Sequence, residues 1–226
     1  MDAKTLRFDF GDIGMKPITQ DWGFSRGLPV DRRYIEQFLS DSASVIQGRV
    51  LEFGDCKYTR LYGGERVSQS DILDNNNNNR KANIIADITN ACSIESNTYD
   101  CLIVTQVLVL IRDYEEALAE LIRILKPGGT ALITVPGISQ ISPLPTEAAN
   151  WSWSFYPNTM RSLLEMARFE HESIKIASYG NLKTTIAFLA GLAQEDLEQR
   201  DYEFNDPQYP LIVAALARKP HLRALQ

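Results

Sequence analysis

A mostly parallel, doubly wound α/β sheet is the fold class this sequence predicts, on one continuous unit and on where its acidic residues fall. Residues 99–136 read YDCLIVTQVLVLIRDYEEALAELIRILKPGGTALITVP. An apolar run from Cys101 to Ile111 leads into an amphipathic segment, a Lys-Pro-Gly-Gly break and a β-branched run from Thr130 to Val135. Strand, helix and strand in that order form a βαβ unit, whose crossover is right-handed. Asp113 can cap the helix, and Ala117, Leu118, Leu121, Ile122 and Leu125 share one face at helical spacing. Lys126 suits the negative end of that helix, Pro127 stops it, and Gly128-Gly129 supplies the return.

The other elements follow in chain order. Residues 1–30 are rich in Gly, Pro and Asp and read as an arm laid over the domain. Asp31 can cap a helix in which Tyr34, Ile35, Phe38, Leu39, Val45 and Ile46 share a face, ended by Gly48. Residues 49–54 form a first strand and 66–71 a second. The run Asn75 to Asn79 with Arg80-Lys81 is a low-complexity polar loop, expected to be mobile rather than functional. Ala82 to Ala86 is a third strand ending in Asp87, and the βαβ unit supplies strands four and five. Pro157 opens a helix with Met160, Leu163, Leu164 and Ala167 inward. Two last strands, near 173–178 and 211–216, flank a helix over 182–193.

With 226 residues, 44% of them hydrophobic, the chain can bury one full core. One domain over 31–220, with the arm and a tail at 221–226, is therefore expected. A net charge of -6 with scattered basic residues argues against a nucleic-acid surface. Cys56, Cys92 and Cys101 form no Cys-x-x-Cys pair, which fits reduced thiols in a cytoplasm and no zinc site or disulfide framework. The first ten residues lack the apolar core of a signal peptide, and no apolar run reaches membrane-spanning length.

In open α/β sheets ligands sit outside the carboxyl ends of the strands. Glu52 and Gly54 close strand one. Asp71 closes strand two, 17 residues past Gly54 (71 minus 54), near the spacing at which a carboxylate reaches ribose hydroxyls. Asp87 closes strand three and can accept from an adenine amino group. One such acid alone would be read as a loop or helix cap. Three at consecutive strand ends point to an adenosine pocket.

Val50-Leu51-Glu52-Phe53-Gly54, Asp71, Asp87 and Leu125-Lys126-Pro127-Gly128-Gly129 together resemble class I S-adenosylmethionine-dependent methyltransferases over residues 48–137. The segments RGLPVDRRYIEQFL (26–39), VPGISQIS (135–142) and YGN (179–181) are similar to a bacterial subgroup associated with glycan or glycosyltransferase systems. The resemblance implies a Rossmann-like sheet of about seven strands, helices on both faces, and S-adenosyl-L-methionine as cofactor. It implies that Glu52 and Gly54, with Asp55 beside them, line the methionine moiety, Asp71 the ribose, and Asp87 and Ile88 the adenine. Gln106, just after strand four, falls where the family faces both cofactor and acceptor.

One departure stands out. The family's turn is acid-x-Gly-x-Gly-x-Gly, and here Cys56 and Tyr58 occupy the second and third glycine positions. Forcing a positive φ on a non-glycine costs roughly 1–2 kcal/mol. Either the loop takes another path around the cofactor or the pocket has lost affinity for it; Cys56 reads as a small buried hydrophobe.

No general base is evident: His171 and His221 read as structural or exposed, and no acid–histidine cluster suggests a metal. On the acceptor side Trp151, Trp153, Phe155 and Tyr156 crowd a Pro-containing loop, suited to the apolar face of a sugar or to a strand-like packing edge. The resembling subgroup has Trp-Arg-Phe-Thr there, whereas this chain reads Trp153-Ser154-Phe155-Tyr156. Arg26 and Arg32 from the arm side would replace the missing arginine in gripping phosphate or carboxylate. The arm, with Trp22 and Phe24, and the aromatic loop are expected to close as one lid. The sequence thus predicts methyl transfer to a small molecule or glycan, with no nucleic-acid partner, no membrane span and a homodimer admitted. A catalytically degenerate scaffold or regulatory module is the alternative. A nicotinamide dehydrogenase is disfavoured because residues 54–59 (GDCKYT) lack Gly-x-Gly-x-x-Gly.

Overall fold

The computed structural model describes residues 14–221, so the first part of the arm and the end of the tail lie outside the described residues. Seven strands form one sheet: β1 Gly48–Phe53, β2 Val67–Asp74, β3 Ile84–Ile85, β4 Tyr99–Thr105, β5 Leu125–Pro136, β6 Ile174–Tyr179 and β7 Ile212–Arg218. Their order is β3-β2-β1-β4-β5-β7-β6, and β7 alone runs against its neighbours. The helices are α1 Val30–Asp41, α2 Tyr114–Ile124, the single turn α3 Pro145–Ala148, α4 Pro157–Met166 and α5 Leu182–Leu189. Helices α2 and α4 cover one face of the sheet and α1 and α5 the other, each over its own apolar core. The expected doubly wound α/β fold is the observed one. Strand order reverses between β1 and β4, so the crevice outside their carboxyl ends is where a ligand fits.

The unit β4–α2–β5 forms as expected; Ala117, Leu118 and Leu121 are buried, and Ile124 completes the face, with Ile122 only partly buried. Its stop differs from expectation. The backbone turns extended at Leu125, so Lys-Pro-Gly-Gly opens β5 rather than forming a free return. Lys126 pairs with Asp100 at 2.7 Å instead of the helix end. The helix-end carbonyls are met by Lys219, whose Nζ donates to Leu125 O at 2.7 Å and to Arg123 O at 3.4 Å.

Three further elements depart from the sequence reading. Asp31 does not cap α1: Pro29 precedes the first turn, and Asp31 lies buried inside it. The predicted third strand shrinks to two residues at the sheet edge, where Asn83 pairs with Ile72 partly through its side chain: Asn83 N donates to Ile72 O at 3.2 Å and Asn83 Oδ1 accepts from Ile72 N at 2.7 Å. Strand β2 runs three residues past Asp71, to Asp74. From Ile18 onward, the arm lies on the segment after α5. Ile18 N donates to Ala190 O (2.8 Å), Thr19 Oγ1 to Gly191 O (2.7 Å), and Pro29 bridges Ala193.

Asp71 therefore sits inside the sheet, and its chemistry is structural. Its side chain is 3% exposed and takes Arg49 Nε at 2.7 Å and Asn83 Nδ2 at 2.8 Å, joining β1, β2 and the edge. Burial pushes the carboxyl up, but bonds from Asn83, Arg49 and Gln69 outweigh it and hold it below the ordinary carboxylate value. A depressed folded value contributes stability above the unfolded carboxylate pKa of about 3.9, lost as pH falls through the folded value. Asp71→Ala is expected to cost about 1–3 kcal/mol in urea unfolding at pH 7, by stranding Arg49 and Asn83. The difference from wild type shrinks below about pH 4; an unchanged midpoint at pH 7 would contradict this role.

Candidate functional site

Outside the carboxyl ends of β1, β2 and β4 lie two adjoining cavities. One, of about 760 Å³, is lined by Gly54, Asp74, Asn76, Asp87, Ile88 and Gln106. The other, of about 440 Å³, is lined by Trp22, Asp31, Arg32, Gln106, Glu147 and Trp151. Gln106, Leu110 and Glu147 belong to both walls. Both volumes lie in the range of small-ligand sites.

The larger cavity is built by sheet register. Gly54 continues β1 with φ +78°, its N donating to Leu73 O at 2.9 Å, and a Cβ there would meet open space. Glycine is required for that conformation and leaves the backbone open to a ligand. The register Phe53↔Leu73 sets Gly54 level with Asp74, the true end of β2. Asp74 lies 20 residues past Gly54 (74 minus 54), closer to the ribose spacing than Asp71. The Asn run is not idle: Asn79 Nδ2 bridges Gly54 O (2.7 Å) and Asp74 Oδ2 (2.6 Å), and Asn76 N donates to Asp74 Oδ1 (2.8 Å). Asp87 caps the turn Ile88–Asn90 through Oδ1 alone, which takes Thr89 N and Thr89 Oγ1, both at 2.9 Å. Ile88 is buried beneath it.

The structure moves the other expected cofactor residues away from this wall. Glu52 is buried, and its carboxylate is consumed by the turn that follows, accepting from Tyr58 N (3.0 Å), Thr59 N (2.7 Å) and Thr59 Oγ1 (2.7 Å). Burial raises its pKa, against the pull of those bonds. Asp55 caps Lys57 N at 3.0 Å and faces a separate depression with Lys81. Asp71 is inside β2. Cys56 and Tyr58 are buried and absent from both cavity walls, Tyr58 stacking on Tyr62 at 6.3 Å. The loop has thus taken a different path, turning side chains inward where the glycine-rich pattern leaves bare backbone.

Gln106 is strained. It follows β4 at φ +57°, held by its N donating to Thr134 O at 2.8 Å, and its Nε2 is buried without a partner among the described residues. Such outliers concentrate at functional sites. In the smaller cavity Trp22 stacks on Trp151, with ring centroids 6.2 Å apart and planes at 25°, joining the arm to the loop. Arg32 lies on the same wall beside Asp31 and Tyr58. The remaining residues expected on the acceptor side lie off this wall. Arg26 is a bidentate partner of Asp196, at 2.8 and 2.5 Å. Trp153 turns outward, donating to Ile111 O at 2.9 Å and packing edge-on against Tyr114. Tyr156 is exposed at the start of α4, and Phe155 is the buried member of the group. No strand forms across 151–155, and neither histidine lines either cavity.

The sequence pattern of the family described as "Methyltransferase domain" matches residues 28–172. The chain belongs to that family. No curated protein matches it. A protein from Galdieria sulphuraria, provisionally named a sarcosine dimethylglycine methyltransferase, is similar at 18% identity and TM-score 0.58, covering 95% of this chain and 97% of that one. A SAM dependent methyltransferase from Archaeoglobus fulgidus is similar at 16% identity and TM-score 0.56, covering 83% and 94%. Haemonchus contortus phosphoethanolamine N-methyltransferase 2, solved with S-adenosyl-L-methionine, aligns at 11% identity and TM-score 0.51 over 90% of this chain and 60% of that one. At these identities the likeness is one of fold.

Because Tyr58 packs inward, restoring glycine there removes core rather than opening the cavity. Tyr58→Gly is expected to lower stability by about 3–5 kcal/mol, as large aromatic truncations do, without tightening S-adenosylhomocysteine in a calorimetric titration. A folded variant that binds tenfold tighter would show that the ring obstructs the cavity.

Proposed function

We propose that the protein transfers a methyl group from S-adenosyl-L-methionine to a small-molecule or glycan acceptor. The observation that carries this reading is the join of the two cavities at Gln106, with Gly54, Asp74 and Asp87 at successive strand ends on one side and the stacked indoles on the other. The larger cavity fits a nucleoside: an open-faced glycine, a strand-end carboxylate held by Asn79 and Asn76, and a second carboxylate above a buried isoleucine. When bound, the cofactor's sulfonium supplies an electrophilic methyl group. Asp74 would accept from the ribose hydroxyls, Asp87 from the adenine amino group, and Ile88 would pack against the base. Methyl transfer is an in-line displacement, so the remaining task of the chain is to align the acceptor and exclude water.

Trp22 and Trp151 suit that task. Their stack ties the arm over the loop after β5, and an indole face suits a sugar's apolar side, consistent with the glycan-associated resemblance of residues 26–39 and 135–142. The three free thiols accord with a cytoplasmic setting. The degenerate-scaffold reading rested on the altered turn, and that turn's side chains lie outside both walls.

Titration calorimetry with S-adenosylhomocysteine tests the reading. Wild type is expected to bind, and Asp74→Ala to lose about 1.5–3 kcal/mol, roughly ten- to a hundredfold in affinity. Asp71→Ala, if folded, should keep its affinity within a few-fold. Absence of binding to wild type would overturn the proposal, and the reverse ranking of the two variants would return the ribose to Asp71.

A further inference from the structure

Among the described residues, the wall of the smaller cavity carries three carboxylates, Asp21, Asp31 and Glu147, and one guanidinium, Arg32. Two of the acids are committed. Asp21 takes Gly23 N, Ser25 N and Ser25 Oγ within the arm, and Glu147 Oε2 takes Ser142 Oγ at 2.7 Å. Asp31 is different. It is 8% exposed, and its Oδ1 is buried with no hydrogen-bond partner among the described residues. Arg32 Nε is 3.9 Å from that oxygen, close enough to share its field and too far to donate a hydrogen bond. A desolvated carboxylate oxygen left in this state calls for a donor, and a charged one compensates it best.

Accepting the methyltransferase reading, on which this step rests, we propose that the acceptor is an amine, with its nitrogen seated on Asp31 and flanked by Trp22 and Trp151. The acids on this wall outnumber the single guanidinium, so a cation is favoured over the phosphate or carboxylate that Arg26 and Arg32 suggest. Arg26 is taken by Asp196, and Arg32 is shared among Asp31, Tyr58 and Glu36 without a hydrogen bond to Asp31. Indole faces attract a cation in the same space. Gln106, on the same wall, has a buried Nε2 without a partner among the described residues, a donor that an oxygen of the same ligand would satisfy. An amino alcohol or amino sugar combines both groups.

Asp31 then serves as proton acceptor. The ammonium gives a proton to the Asp31 carboxylate and becomes a neutral amine. The nitrogen lone pair forms the N–C bond as the C–S bond breaks, and that bond's electrons return to sulfur as a neutral thioether. The methylated ammonium leaves, and Asp31 passes its proton to water. Burial raises the Asp31 carboxyl above its ordinary value, with the Arg32 charge pulling the other way, which suits a group that must hold a proton in transit.

The test is saturation-transfer NMR on protein loaded with S-adenosylhomocysteine, with two matched probe pairs: 2-aminoethanol against ethane-1,2-diol, and glucosamine against glucose. At least one amine is expected to bind tenfold or more tighter than its hydroxyl partner. Asp31→Asn and Asp31→Ala should each abolish that preference while keeping S-adenosylhomocysteine affinity within twofold, which also reports that they fold. Equal binding of amines and hydroxyl partners, an undiminished preference in the Asp31 variants, or no amine binding to the loaded protein would overturn the assignment alone. Failure of wild type to bind S-adenosylhomocysteine would instead overturn the methyltransferase reading beneath it.

Discussion

The site depends on one buried carboxylate. Glu52, at the end of β1, takes two backbone amides and a hydroxyl from Tyr58 and Thr59, so the chain leaving the sheet is folded back onto the strand it came from. A charged acceptor with three donors offsets the cost of burial that a lone carboxylate could not bear. Its consequence is geometric. With Cys56, Tyr58 and Thr59 packed toward the core, Phe53 and Gly54 are left facing the crevice, and Asn79 reaches both the Gly54 carbonyl and Asp74. A glycine-rich turn keeps backbone near a ligand by having no side chains. This turn does so by directing Cys56 and Tyr58 away from it.

The fold was legible because its signals are local and repeated. The apolar strand at 101–105, the stripe on α2 and the β-branched run of β5 each carry their own period, and the sheet order follows from a parallel unit. The site was less so. In VSQSDILD two aspartates stand three residues apart, and only pairing tells which one ends the strand. Ile72-Leu73 continues the apolar run past Asp71, and the spacing of 20 residues from Gly54 favours Asp74; both hints were in the sequence. No such hint existed for Arg49, whose bond to Asp71 depends on the register of β1 with β2.

The acceptor side shows the same divide. Aromatic crowding at 151–156 was visible, yet which ring faces inward was not, because the segment forms no strand and alternation carries no meaning there. Ser152 N donates to Val109 O and Phe155 N to Pro136 O, and these two anchors turn Trp151 to the cavity and Phe155 into the core. The contribution of the arm was hidden for a related reason. Trp22 meets Trp151 across a wide sequence gap only because residues 18–29 are fastened to the segment after α5. Strain at Gln106 is likewise a product of tertiary context, the left-handed backbone being held by Thr134 of the neighbouring strand.

In the proposed function, Gly54, the Asp74–Asn79 turn, Asp87 and Gln106 form one nucleoside-binding rim, with Asp71 outside it. Amide hydrogen exchange with and without S-adenosylhomocysteine tests it directly, since protection is read segment by segment and requires no acceptor. Slower exchange is expected across residues 74–79, 86–90 and 106–111, with 67–71 unchanged by ligand. Protection confined to the segment around Asp71, or to the depression bounded by Asp55, Arg60 and Lys81, would contradict it.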